Sequence, residues 1–177
     1  NTAIITKGQV LLAFLIVSLH KRRSLTGVTA AKTTLPPSRC RNGYTLYSGP
    51  GRGFCFRFSD ECTSSFDEAR VACQMERGDL AVLDNESVKP FLDILKPKFV
   101  NEEDCEAPFA YLGATIDEKG VARYITGVTI PSDSTIWHRR PNFNPGNCVA
   151  AGINDNGELG LSDGPCIGLI RYVCQQF

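Results

Sequence analysis

The sequence predicts an α+β domain held together by disulfide bonds, with two helices and several short strands. Three observations predict it. Eight cysteines lie in 177 residues, all of them in the last 138. Two stretches in the middle of the chain carry apolar residues at helical spacing. The last third, from Trp137 to Cys174, is rich in Gly, Asn, Asp and Pro, residues that shape loops and turns.

Composition narrows the function. Residues 1–30 hold four basic residues (Lys7, Lys21, Arg22 and Arg23) and no acid, so the remainder carries 15 basic against 19 acidic residues. Nucleic-acid binding needs clustered positive charge on one face, and that balance argues against it. Eight cysteines in so short a chain point to an oxidising compartment. Zinc would need ligand spacings that are absent: no Cys-x-x-Cys pair occurs, and the two histidines are His20 and His138.

Val10–Leu19 is an apolar run of ten residues, too short to span a bilayer and suited to the core of a secretory signal peptide. Small residues at Val28–Ala31 offer a cleavage site. A type II membrane anchor is the alternative, and Lys7 and Gln9 interrupt it. We therefore expect a leader over 1–30, a Pro-containing linker over 31–39, and a folded domain over 40–177, secreted to the extracellular space. Membrane attachment follows only if the leader stays uncleaved.

Phe54-Cys55-Phe56-Arg57-Phe58 puts three phenylalanines on one face of a strand. The preceding Ser48–Gly53 segment lacks any phosphate-binding spacing and reads as a loop. Ser65-Phe66-Asp67-Glu68 is a capping box that opens a helix with Phe66, Ala69 and Cys73 on its inner face, ending near Gly78 as a left-handed cap. Leu80–Leu83 follows as a short buried strand. A second helix, N-capped by Ser87 with Pro90 in its first turn, turns Val88, Phe91, Leu92 and Leu95 inward and is expected to stop before Pro97. Tyr111–Ala114 and Arg123–Gly127 read as strands joined by a turn at Glu118–Gly120. Beyond them the spacing predicts loops and short strands, with Asn154–Gly157 as a tight hairpin turn.

Taken in order, Phe66–Cys73, Gly78–Leu83, Tyr111–Ala114, Arg140-Pro141-Asn142, Asn147-Cys148-Val149, Ser162–Cys166 and Tyr172-Val173-Cys174 resemble a C-type lectin-like domain across residues 40–177. The resemblance implies a C-type lectin-like fold: two helices, small antiparallel sheets and a long loop region. It implies the disulfides Cys73–Cys174 and Cys148–Cys166, with Cys40–Cys55 as the extra pair of longer members, and leaves Cys62 with Cys105. The longest bridge would close a loop of about 100 residues, worth roughly 4–5 kcal/mol in the chain-entropy model.

Many members of that family bind sugar through calcium, which takes six to eight oxygen ligands. The resemblance places those ligands on a Glu-Pro-Asn or Gln-Pro-Asp triplet, an acid just before the next cysteine, and the Asn-Asp of a Trp-Asn-Asp motif. Here Arg140 replaces the first ligand, Gly146 the second acid, Ser162 the asparagine and Leu161 the tryptophan. Asn142 and Asp163 survive. A guanidinium about 4 Å from a divalent ion costs roughly 8 kcal/mol at an effective dielectric of about 20. No metal is therefore expected at these vestigial positions, and no cofactor.

The resemblance then implies a secreted recognition protein whose ligand, a protein surface or an anionic glycan, is contacted by His138, Arg139, Arg140, Asn142, Asn144, Asn147 and Asp163, with a role in innate immunity. Arginine forks suit sulfate or phosphate, and the bland counterpart is a solvated basic loop. The alternative is a calcium-dependent lectin using Asn142, Asn144, Asp163 and backbone carbonyls. An enzyme is disfavoured, because His138 is the one near-neutral base after the leader and no nucleophile stands at a recognisable spacing from it. Asn85-Glu86-Ser87 is a glycosylation sequon. Arg77-Gly78-Asp79 spells an integrin-binding tripeptide but coincides with a helix end. The acidic run Glu102–Glu106 reads as a solvated loop.

Overall fold

The computed structural model describes residues 39–51, 53–83, 87–100, 105–138 and 141–177. The leader over 1–30, nearly all of the linker, Asn85, residues 102–104, Arg139 and Arg140 lie outside the described residues.

β1 (Thr45–Tyr47) and β2 (Phe54–Phe58) form an antiparallel hairpin. Phe54, Phe56 and Phe58 are buried on one face, as their alternation predicts, and Cys55 is buried on the other by its bridge to Cys40. β3 (Thr63–Ser65) leads into α1 (Phe66–Met75), whose buried residues are Phe66, Ala69 and Cys73. Ser65 has extended backbone at the N-cap, and its hydroxyl accepts from the Glu68 amide at 3.2 Å. The return half of the capping box is displaced by one residue. Glu68 accepts from the Ser64 hydroxyl at 2.6 Å and the Ser64 amide at 3.2 Å. These Ser64 bonds hold the Glu68 carboxyl below the usual range.

The end of α1 differs from expectation. The left-handed residue is Arg77 (φ 60°), not Gly78. Gly78 instead opens β4 (Gly78–Leu80), where a Cβ would collide with the Gln175 carbonyl of the neighbouring strand. Arg77 tolerates its strain because the Arg41 guanidinium donates to the Glu76 and Arg77 carbonyls, both at 3.0 Å. Arg57 also donates to the Glu76 carboxylate at 2.6 Å, and the Tyr44 hydroxyl donates at 3.1 Å. Asp79 is held by Arg70 at 3.0 Å. The Arg77-Gly78-Asp79 tripeptide is thus built into a helix end and a strand rather than offered on a loop. The strand expected at Leu80–Leu83 starts two residues earlier, and Ala81 still bonds to Val173 at 2.8 Å.

α2 (Val88–Val100) starts where expected, with the Phe91 amide bonded to the Ser87 carbonyl at 2.9 Å. It does not stop before Pro97. The proline removes one amide donor, while continuing the helix buries Phe99, which packs edge-on to Phe58 at 5.3 Å. β5 (Phe109–Ile116) and β6 (Ala122–Tyr124) flank a turn organised by Asp117. Its carboxylate accepts from Arg123 Nε and the Val121 and Lys119 amides, each at 2.9 Å, and this network, Arg123 foremost, keeps the carboxyl below its usual range. β6 ends sooner than expected because Gly127 (φ 86°) turns the chain.

β7 (Cys148–Ile153) and β8 (Leu159–Gly164) form a hairpin around the Asn154–Gly157 turn, with Gly157 at φ 74°. β9 (Ile167–Gln176) is a ten-residue strand where short strands were expected. It pairs antiparallel with β2, β3 and β4 and parallel with β5, and the main sheet path runs β1-β2-β9-β5-β7-β8. The larger core lies where the β2 phenylalanines and Val149, Leu161 and Val173 meet Phe91, Leu92 and Leu95 of α2. A smaller one joins Phe66 and Cys73 of α1 to Tyr111, Tyr172 and Cys174.

The disulfides are Cys40–Cys55, Cys62–Cys105, Cys73–Cys174 and Cys148–Cys166, the pairing the resemblance implies. The fold is α+β and disulfide-stapled, with two helices and a mixed sheet among the described residues.

Removing bridges should rank by loop length. The Cys73→Ala/Cys174→Ala variant opens a separation of 101 residues and is expected to lose about 4–5 kcal/mol in a denaturant titration. The Cys40→Ala/Cys55→Ala variant opens 15 residues and is expected to lose about 3 kcal/mol. Equal losses would contradict this ordering. Glu68 and Asp117 both titrate below their unfolded values, so their contribution is present above the unfolded pKa and disappears as pH falls through the folded one. Ser64→Ala should raise the Glu68 pKa toward about 4.3 in an NMR titration of the carboxyl carbon. An unmoved pKa would contradict the assignment.

Candidate functional site

The last third of the chain folds onto β8. Ile136, Trp137 and His138 run beside it: the Leu161 amide donates to the Ile136 carbonyl at 2.7 Å, and the His138 amide to the Leu161 carbonyl at 2.9 Å. Gly160 permits this approach, since a Cβ there would sit 2.7 Å from the Ile136 carbonyl oxygen. Trp137 anchors the segment. It is 8% exposed, its indole N–H donates to the Pro131 carbonyl at 2.9 Å, and its ring meets Phe143 edge-on at 5.8 Å.

Past the anchor the loop closes on Asp163. Asn142 and Asn144 are exposed and Asn147 is half-buried. The Asn147 amide donates to the Asn144 carbonyl at 3.1 Å, and Gly146, at φ 85°, donates to the Ile116 carbonyl at 3.1 Å. Asp163 is 9% exposed on β8, opposite Val149. Its Oδ1 accepts from the Asn142 backbone amide at 3.2 Å, and its Oδ2 accepts from Asn147 Nδ2 at 3.1 Å. Both oxygens of the carboxylate therefore have protein donors.

Of the residues singled out in the sequence, Asn142, Asn147 and Asp163 come together, and Asn144 joins them through its backbone carbonyl. His138 does not. It lies at the Gly160 end of β8, about 10 Å along the strand from Asp163 at the usual rise per residue, with its ring edge-on to Phe109 at 6.0 Å. Arg139 and Arg140 fall outside the described residues.

Chemically, the Asp163 cluster offers one carboxylate, the Asn147 side-chain amide and the backbone groups of Asn142 and Asn144. Calcium, which many C-type lectin-like domains use, takes six to eight oxygens, several of them from carboxylates. Gly146 brings no side-chain oxygen. Among the described residues no group of three His, Cys, Asp or Glu side chains converges as a metal would need.

Two surface grooves were not singled out in the sequence. One, of about 460 Å³, runs between α2 and the β7–β8 turn and is lined by Lys89, Asp93, Lys96, Thr135, Trp137, His138, Gly157, Glu158 and Leu159. Its signal was present in the i, i+4, i+7 spacing of Lys89, Asp93 and Lys96. The other, of about 220 Å³, is more apolar and is bounded by Phe109, Tyr111, Ala150, Pro165, Ile167 and Ile170 beside the Cys148–Cys166 bridge.

Solved structures with this fold include the C-type lectin domain of murine dendritic cell inhibitory receptor 2 in complex with N-glycan, at 19% identity and a TM-score of 0.59, covering 77% of this chain and 98% of that one. Human lithostathine is similar at 22% identity and a TM-score of 0.56, with 77% and 98% covered. A Ca2+-independent C-type lectin from Saxidomus purpuratus is similar at 17% identity and a TM-score of 0.58, with 79% and 92% covered. At these identities the likeness is one of fold. A search of curated protein sequences finds no match. The family model of the lectin C-type domain matches residues 63–176, from β3 through β9. This chain belongs to the C-type lectin domain family, whose domains are typically binding domains.

Proposed function

We propose that the domain over residues 40–177 is an extracellular recognition module that works without calcium at the Asp163 position. One observation carries the reading: both oxygens of Asp163 already accept hydrogen bonds from Asn142 and Asn147. A calcium ion there would compete with the Asn142 and Asn147 donors for the carboxylate. It would then find one carboxylate where several are usual. The residues present do not fit the ion.

The ligand in this reading is a protein surface or an anionic glycan. The exposed Asn142 and Asn144 would contact it, with Asn147 behind them, alongside Arg139 and Arg140, whose guanidinium forks suit such anions. His138 would meet the same ligand at the far end of the loop. Secretion is supported by the apolar run Val10–Leu19 and by four disulfides. No described helix is long and apolar enough to cross a membrane. Glycosylation at Asn85 follows if the chain passes through the secretory pathway. Participation in innate immune recognition rests on the family resemblance, and the absence of enzymatic activity on the sequence, where no nucleophile stands at a recognisable spacing from His138.

Calcium should leave the melting temperature unchanged relative to EDTA. An ion present at about 100 times its Kd would add about 2.7 kcal/mol and raise the midpoint by several degrees, and such a rise would overturn the proposal in favour of a calcium-dependent lectin. A glycan array run with and without chelator should give identical patterns. Asp163→Ala strands the Asn142 and Asn147 donors and is expected to cost about 1–3 kcal/mol in a denaturant titration. A neutral result would show that those bonds do not hold the loop.

A further inference from the structure

The groove between α2 and the β7–β8 turn has the make-up of a second binding site, which borders the candidate loop at His138 but does not include the Asp163 cluster. We infer that it is a calcium-independent site for an uncharged glycan, held by Lys89, Asp93 and Lys96 on one wall and Thr135 and Glu158 on the other.

The first argument is where the charges go. Lys89, Asp93 and Lys96 stand one and two turns apart on the same face of α2, and all three line the groove. Among the described residues, no ion pair involves them or Glu158. Lysine ahead of aspartate at this spacing is the weaker order for a helical pair. Ammonium donors and a carboxylate acceptor thus border an open space without neutralising each other. On the opposite wall one Glu158 oxygen accepts from Asn154 Nδ2 at 3.0 Å, which fixes the side chain and leaves the other oxygen available.

The second argument is charge balance. Two ammonium groups face two carboxylates among the described lining residues. A polyanion such as a sulfated chain is drawn by a surplus of positive charge, and the described lining has none. A sugar hydroxyl is both a donor and an acceptor, so a row of hydroxyls needs what the groove alternates: carboxylates to accept and ammonium or hydroxyl groups to donate. Bonds to charged partners are about twice as strong as neutral ones.

The third argument is shape. A volume of about 460 Å³ lies within the span of small-molecule clefts, about 300–1,000 Å³. Beside it a small recess of about 20 Å³ is bordered by Leu92, Ile136 and Leu159. The Trp137 indole N–H is already bonded to Pro131, so that side chain contributes ring surface alone.

The test uses the full chain, isotopically labelled, in excess EDTA, with lactose, maltose, mannobiose and N,N′-diacetylchitobiose as probes in saturation-transfer and chemical-shift NMR. The expected result is that at least one disaccharide binds in the millimolar range or better. It should shift the backbone signals of Asp93, Thr135 and Glu158 and not that of Asn142. The Asp93→Ala/Lys96→Ala variant, at exposed helix positions, should weaken that binding about tenfold or more. Four outcomes would each overturn the inference: no binding by any of the four sugars, binding that requires calcium, equal binding by the double variant, or salt-sensitive binding of a heparin oligosaccharide at these residues in place of the neutral sugars. Because the probes are neutral and chelator is present, failure here leaves the Asp163 reading standing, and failure of that reading leaves this one standing.

Discussion

Strand β9 is the constraint on which the rest of the molecule depends. It is hydrogen-bonded to β2, β3, β4 and β5, and Cys174 within it is covalently joined to Cys73 on α1. Leu80 and Arg57 are both in register with Cys174, so helix, hairpin and sheet meet at one residue. Gly78 is needed because β4 approaches β9 so closely that a Cβ would strike the Gln175 carbonyl. Joining residues 101 apart, the bridge removes much of the freedom of the unfolded chain. What remains, the loop from Pro131 to Asn147, can depart from regular structure without unsettling the core.

That loop is nevertheless held in detail. Trp137 anchors its middle through Pro131 and Phe143, and Asp163 gathers its end through Asn142 and Asn147. The Asp163 carboxylate is nearly buried, and a nearly buried charge needs partners. The N–H groups of Asn142 and Asn147 supply them.

Much of this was legible in the sequence, and where it was not the cause is tertiary. The Ser65 cap, the inward face of α1, the β2 phenylalanines and the Asn154–Gly157 turn are local patterns, and they stand where spacing places them. The family resemblance supplied the disulfide pairing, which spacing alone leaves open. Arg77 takes the left-handed position because Arg41 reaches across to its carbonyl, a contact between residues 36 apart that no local rule contains. α2 runs through Pro97 because Phe99 has Phe58 to pack against. β9 reads as short pieces since its partners come from four places in the chain. At the site, Asn142, Asn147 and Asp163 could be named from the sequence, but not that they bond to one another. The lysines and aspartate of α2 look like a solvated helix face until the β7–β8 turn is placed opposite them.

The central claim is that the Asp163 carboxylate is committed to protein donors and not to a cation. The most direct measurement follows the Asn142 amide and Asn147 side-chain N–H2 resonances while calcium is added to chelator-treated protein. The account predicts that both stay in place up to millimolar calcium, with the N–H2 protons protected from exchange. A saturable movement of both, with loss of that protection, would mean that the ion takes the carboxylate, and the account would be contradicted.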